Sequence, residues 1–161
     1  MDGRIEKQYV DLCARIPYGV KGTVYTDRYV NVKLLHVDQD RRIYVKALTD
    51  DKEVSDAVDK LITDVEPTVN FFKPYYRPVS DLTEEEIDRM FDILGIDKAG
   101  NDPSWIKIND ASGIWFFLPD GTCSDDLIKV YDYLNSIHID YRGYIELGFA
   151  TAITKEELDK I

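Results

Sequence analysis

The sequence predicts an α+β fold, and three observations carry the prediction. Apolar residues recur at helical spacing over residues 5–16, switch to strict alternation between residues 20 and 46, and return to helical spacing after residue 83. Polar turn residues separate the alternating runs, as short antiparallel strands require. The chain has 161 residues, 44% hydrophobic and 12% aromatic, and can bury roughly 70% of its unfolded surface without a disulfide or metal staple. The expected architecture is an N-terminal helix with a small antiparallel, barrel-like sheet in residues 1–78. A C-terminal helix, hairpin and helix part in residues 79–161 packs on it as one compact unit.

Each element has a local reason. Ile5, Tyr9, Leu12, Cys13 and Ile16 share one helical face, and Pro17 disfavours helical geometry at the residue before it, so the first helix stops near residue 16. Val20, Gly22 and Val24 alternate with Lys21, Thr23 and Tyr25; Val30, Val32 and Leu34 with Asn31 and Lys33; Ile43 and Val45 with Tyr44 and Lys46. Such alternation marks three half-buried strands in a meander. Residues 51–66 stay open between helix and strand, because Val54, Val58, Leu61, Ile62 and Val65 have helical spacing while LITDV alternates. PTVNFF, residues 67–72, reads as one more strand. In KPYYRP, residues 73–78, each proline removes a backbone donor, so the segment is expected to be an extended connector and not an interior strand.

Thr83 and Glu86 form a capping box for a helix whose face is Ile87, Met90, Phe91 and Leu94, and Gly95 supplies the stop. A polar loop, residues 97–104, leads to a hairpin of WIKI and GIWFFL. The PDGT turn and Ser124 then start a helix with Leu127, Val130, Tyr131, Leu134 and His138 on one stripe. After DYRG and YIELGFA, Thr154 and Glu157 cap a short terminal helix.

Composition narrows the function classes. No apolar run approaches the ~20 residues of a membrane helix, and the N-terminus lacks a basic patch followed by an apolar stretch, so a cytoplasmic location and no membrane partner are expected. Cys13 and Cys123 form no metal or redox spacing and read as free thiols. Net charge is −11, divided as +2 for residues 1–50, −7 for 51–100 and −6 for 101–161. A net negative field disfavours phosphate backbones, so direct nucleic-acid binding is not expected.

Catalytic signatures are missing. The sequence contains no GxGxxG, Walker, HExxH or GxSxG motif, and DKAGND fails the EF-hand pattern because its glycine falls at the fourth position. His36 and His138 are too few and too separated for a zinc site; His138 beside Asp140 is one candidate for a tertiary-assembled pair, although an imidazole at a helix C-terminus also complements the dipole. No cofactor, metal or catalytic residue is expected, which argues against an enzyme.

Three aromatic and arginine clusters remain: CARIPYG (13–19), KPYYRP (73–78) and DYRGYIELG (140–148). Tyr and Arg are common interface anchors, and the same residues serve as internal clamps that pair with Asp and stack on rings. The candidate binding residues are Arg15, Tyr18, Tyr75, Arg77, Tyr141 and Arg142. LCARIPYGV, KPYYRPVSDLTEEE and LNSIHIDYRGYIELGFA resemble, in that order, signature segments of a family of small proteins of unknown function from gut bacterial genomes and their phages. The resemblance implies that Arg15, Tyr18, Pro74, Tyr75, Arg77, Asp140, Tyr141, Arg142 and Gly143 hold signature positions, and it brings no activity with it. It favours an accessory, phage-associated role. The sequence thus reads as a non-enzymatic protein-interaction module, with an acidic DNA-mimic inhibitor of a host nucleic-acid enzyme and a hydrolase with a tertiary-assembled site as the alternatives.

Overall fold

In the computed structural model, which describes residues 3–96, 105–109, 113–117 and 124–161, helices and strands mix in one α+β chain. The order is α1 (Gly3–Arg15), β1 (Lys21–Tyr25), β2 (Tyr29–Val37), β3 (Ile43–Ala47), α2 (Lys52–Lys60), β4 (Phe72–Tyr76), α3 (Glu84–Leu94), β5 (Trp105–Asn109), β6 (Gly113–Phe117), α4 (Ser124–Ser136), β7 (Thr151–Ala152) and α5 (Lys155–Lys160). A five-stranded sheet runs β3-β2-β1-β4-β7, antiparallel except for the parallel β4–β7 pair, and β5–β6 form a separate hairpin. The predicted 97–104 loop, the PDGT turn, the Ser124 side-chain cap and Cys123 lie outside what is described.

Period-two patterning fixes the sheet. Val20, Val24, Val30, Val32, Leu34, Val37, Ile43, Val45, Ala47 and Phe72 point inward to one core, onto which α1 lays Leu12 with Ile5, Tyr9, Cys13 and Ile16 around it. Burying each such side chain contributes ~1.5–3 kcal/mol. An antiparallel bridge between Arg42 and Thr68, with Ile43 N–H donating to the Pro67 carbonyl at 2.7 Å, curls the β3 edge round towards the lead-in to β4. A bulge between Leu34 and His36 turns both Leu35 and His36 outward. The open stretch 51–66 resolves as α2, capped by Asp51, running into a π-helical turn, Leu61–Val65.

The KPYYRP expectation is corrected. Phe72–Tyr76 is strand β4, lying between β1 and β7 and therefore interior. Leu34 N–H donates to the Val20 carbonyl, so by alternation Gly22 directs its backbone groups to β2, and Pro74 opposite it on β4 is never asked for a donor by β1. On its far side β7 begins pairing only at Tyr75. Gly22 is required by the same pairing, because a Cβ there would sit 2.5 Å from the Lys73 carbonyl and 2.7 Å from the Phe72 ring. Of the PTVNFF segment only Phe72, which opens β4, is strand; before it come the bridge residue Thr68 and a 3-10 turn, Val69–Phe71.

A second core gathers Val79, Met90, Leu94, Val130, Leu134 and Ile139 between α3 and α4. Both predicted capping boxes are present, Thr83 with Glu86 and Thr154 with Glu157, and Gly95 ends α3 at φ 66°. The stripe on α4 stops short of the expectation: the helix ends at Ser136, and His138 lies beyond it with φ 60°. Residues after α4 return to the first core through Tyr144 and Ala150. Among the described residues, no helix is long and apolar enough to cross a membrane.

Candidate functional site

The three motif segments meet in space. From α1, Arg15 is fully buried; its Nε donates to Asp11 Oδ2 at 3.1 Å and its Nη2 to the Ile139 carbonyl at 2.9 Å. Its guanidinium lies 4.1 Å over the Tyr76 ring and 5.4 Å from that of Tyr141. Asp11, equally buried, accepts from the Tyr76 hydroxyl at 2.5 Å and sits 3.2 Å from Arg142 Nη1. One carboxylate therefore ties α1, the end of β4 and the 140s loop together. Arg15 Nη1 has no hydrogen-bond partner among the described residues.

Arg77 forms the other half of the clamp, at the seam between the two cores. Its backbone bridges Ile139, donating to the His138 carbonyl and accepting from Asp140 N–H, each at 2.9 Å. Its guanidinium makes a two-pronged pair with Glu86, both contacts at 2.9 Å, and reaches Asp81 Oδ2 at 2.6 Å. Burial works against the charge on Glu86, yet the Arg77 fork and the Thr83 N–H hold its carboxyl at about 2. Such paired, fully bonded charges are costly to break singly. The capping-box glutamate thus has two roles: it starts α3 and it neutralises Arg77.

The remaining predicted residues divide. Tyr18 donates to Asp132 on α4 at 2.5 Å, near the surface. Tyr141 is half-buried, donating to Asn135 at 3.1 Å, and Arg142 stacks 5.1 Å from its ring while one third of the side chain stays exposed. They line an open cleft of about 490 Å³ with Ile114, Ile128, Tyr131 and Asp132. Tyr75 stands alone on the opposite side of β4 from Tyr76, its hydroxyl donating to Asn31 at 2.6 Å. Because β1 separates β4 from β2, the Tyr75 ring lies across β1 to reach that partner.

His138 and Asp140 hold no hydrogen bond or ion pair to each other among the described contacts. Burial pushes the imidazole down to about 4, so it is neutral at physiological pH and does not complement the α4 dipole as a cation. Its Nδ1 is buried without a partner. The Asp140 carboxylate accepts from Tyr144 N–H at 2.8 Å and Ile145 N–H at 2.6 Å, which folds the DYRG turn. Among the described residues, no group of three His, Cys, Asp or Glu side chains is placed to hold a metal ion.

What sequence reasoning passed over is the outward set of the same strands. Lys21, Lys33 and Lys46 occupy one row across β1, β2 and β3, since Lys21 pairs with Lys33 and Lys33 with Lys46. Asn31, Thr23 and Lys73 make the next row, and Tyr25 and Tyr29 the third, with their rings edge to face at 5.2 Å. Tyr44 and His36 flank the face at the β3 end, ring centroids 5.7 Å apart. The five strands of this sheet contain not one Asp or Glu, in a chain with 31. The alternation that revealed the core also named these residues; averaging charge over fifty-residue blocks concealed them.

No family model matches the chain, and neither a curated protein nor a solved structure shows significant similarity to it.

Proposed function

We propose that the protein is a non-enzymatic binding module whose working surface is the open face of the five-stranded sheet. The observation that supports it most is the like-charged row Lys21, Lys33 and Lys46, unrelieved by any acidic residue in the strands. Like charges directly opposite in a sheet cost stability, and an anionic partner removes that cost. The buried clamp suits this role, because a rigid frame holds exposed groups at fixed spacing. Charge mimicry draws on the acidic helices instead, and there Glu86 is already committed to Arg77.

The test is a titration of isotopically labelled protein with heparin as a generic polyanion at low salt. Shifts are expected in the backbone signals of Lys33, Lys46, Lys73 and Tyr75, with α3 unaffected. A spectrum that does not respond removes the sheet face as the working surface.

A second reading rests on the cleft beside Tyr141 and Arg142, where Ile128 is 64% exposed. It fits a protein partner, and the resemblance to phage-associated proteins is consistent with an accessory role. A Tyr141→Ala/Arg142→Ala variant that folds normally yet loses a partner retained by the wild type supports this cleft; unchanged retention rules it out.

A further inference from the structure

We infer that the sheet face binds single-stranded nucleic acid, with its lysines on the phosphates and its tyrosines under the bases. This rests on the preceding proposal and names its ligand class. Two complementarities select the ligand. The first is charge: Lys21, Lys33 and Lys46 form one row across the neighbouring strands β1, β2 and β3, ~4.8 Å apart, and Lys73 on β4 stands in the next row. Lys21 also donates to the Leu158 carbonyl at 3.0 Å, so its ammonium is held in place. A net charge of −11 does not oppose this, since exposed charges beyond ~8–10 Å are screened at physiological salt.

The second complementarity is aromatic. The Tyr75 ring is held across β1 by Asn31, while Tyr25 and Tyr29 are 55% and 73% exposed at the hairpin tip. Flat rings interleaved with lysines on an open sheet are what stacks successive bases while their phosphates are neutralised, and the arrangement is tolerant of sequence. A duplex hides its base faces and uses only the lysines. An acidic peptide or a lipid headgroup neutralises the lysines but brings no succession of flat bases at the spacing of its charges.

The path is bounded. Asp27 at the β1–β2 tip and Asp38 after β2 mark the two ends of the face. Beside the tip, a cleft of about 680 Å³ between Tyr25, Arg28 and α2 carries Asp27, Glu53 and Asp64 against Arg28 and Lys60, so its walls lack the acid-free basic character of the sheet face. The nucleic acid therefore runs over the open face from the lysine row towards the Tyr25–Tyr29 tip and does not enter the cleft.

The experiment is fluorescence anisotropy of a short labelled oligothymidylate and of its duplex with oligoadenylate, at about 50 mM salt and upward. Single-strand binding is expected with a log–log salt slope of about −1.4 to −2.8, for two to four phosphates neutralised. Lys33→Glu/Lys46→Glu is expected to weaken it about tenfold or more and to flatten the slope, and Tyr25→Ala/Tyr29→Ala to weaken it with the slope unchanged. Lys52→Glu on α2 is the control and leaves binding intact. Circular dichroism checks that each variant folds. Equal affinity for duplex and single strand overturns the stacking role. Heparin or anionic vesicles bound at this face with no oligonucleotide binding overturns the ligand class but leaves the binding module standing. A protein that ignores every polyanion overturns both.

Discussion

The charges buried at the seam and the charges exposed on the sheet obey opposite rules. Inside, Arg15, Arg77, Asp11, Glu86 and Asp140 are bonded to opposite charges or to backbone groups. Outside, three lysines stand side by side with no carboxylate between them. A buried charge must be compensated within the fold because low dielectric makes a lone ion untenable; an exposed one can wait for a partner because water solvates it meanwhile. β4 carries both kinds in one strand. Tyr76, with Arg77 just beyond the strand, serves the interior, while Lys73 and Tyr75 face solvent.

The comparison breaks most sharply at Arg77. Arg77→Ala removes the two-pronged partner of Glu86, leaving it only the longer Lys155 contact at 3.5 Å, and takes the guanidinium from Asp81; it is expected to cost about 3–5 kcal/mol in urea unfolding, and a loss within ordinary surface-substitution noise would show the clamp to be ornamental.

Acid should separate two more buried groups. His138 is held neutral, with its value lowered from 6.5 to about 4, so the unfolded chain takes up a proton first as pH falls. Stability is complete above 6.5, declines by ~3 kcal/mol down to about 4, and then ceases to depend on this group. Glu86 acts lower: its contribution is present above 4.5 and drains away as pH falls towards about 2. His138→Asn, which tolerates the positive φ, should remove the upper slope and leave the lower one. Unfolding free energies measured across pH check this, and an unchanged upper slope assigns it elsewhere.

Tyr76→Phe deletes one donor to Asp11 while Arg15 and Arg142 remain, so a smaller loss of about 2 kcal/mol is expected by denaturant midpoint. Smallest and opposite in sign is Lys33→Glu. It sets opposite charges against both neighbours in the row and should raise stability by about 0.5 kcal/mol, visible as a higher melting temperature. A destabilised variant would mean that the row is not strained and that the charge argument for a ligand loses its footing.

Much of this was legible in advance. The three meander strands, α1 ending before Pro17, and the two capping boxes follow from local chemistry, because each depends on residues within a few positions of one another. β4 was missed because a proline's missing donor matters only where a neighbour needs it, and which neighbour lies on which side is a question of sheet order. The clusters at 13–19, 73–78 and 140–148 could be picked out as unusual, but their convergence on Asp11 and Glu86 was invisible: Asp11 does not stand out among the chain's 31 acids, and Glu86 stands out only as a helix cap. Nothing local distinguishes a carboxylate that caps a helix from one that also holds a buried arginine.

By itself, then, the sequence determined the class of fold, the inward and outward residues of the first strands, and the helix starts. These follow from periodicity and short-range hydrogen bonding. Only the tertiary structure decided that Arg15 and Arg77 turn inward, that His138 is neutral, and that lysines distant in sequence form one row. Burial and cross-strand neighbours set the sign and strength of each charge's interactions, and both depend on where the chain comes back to itself.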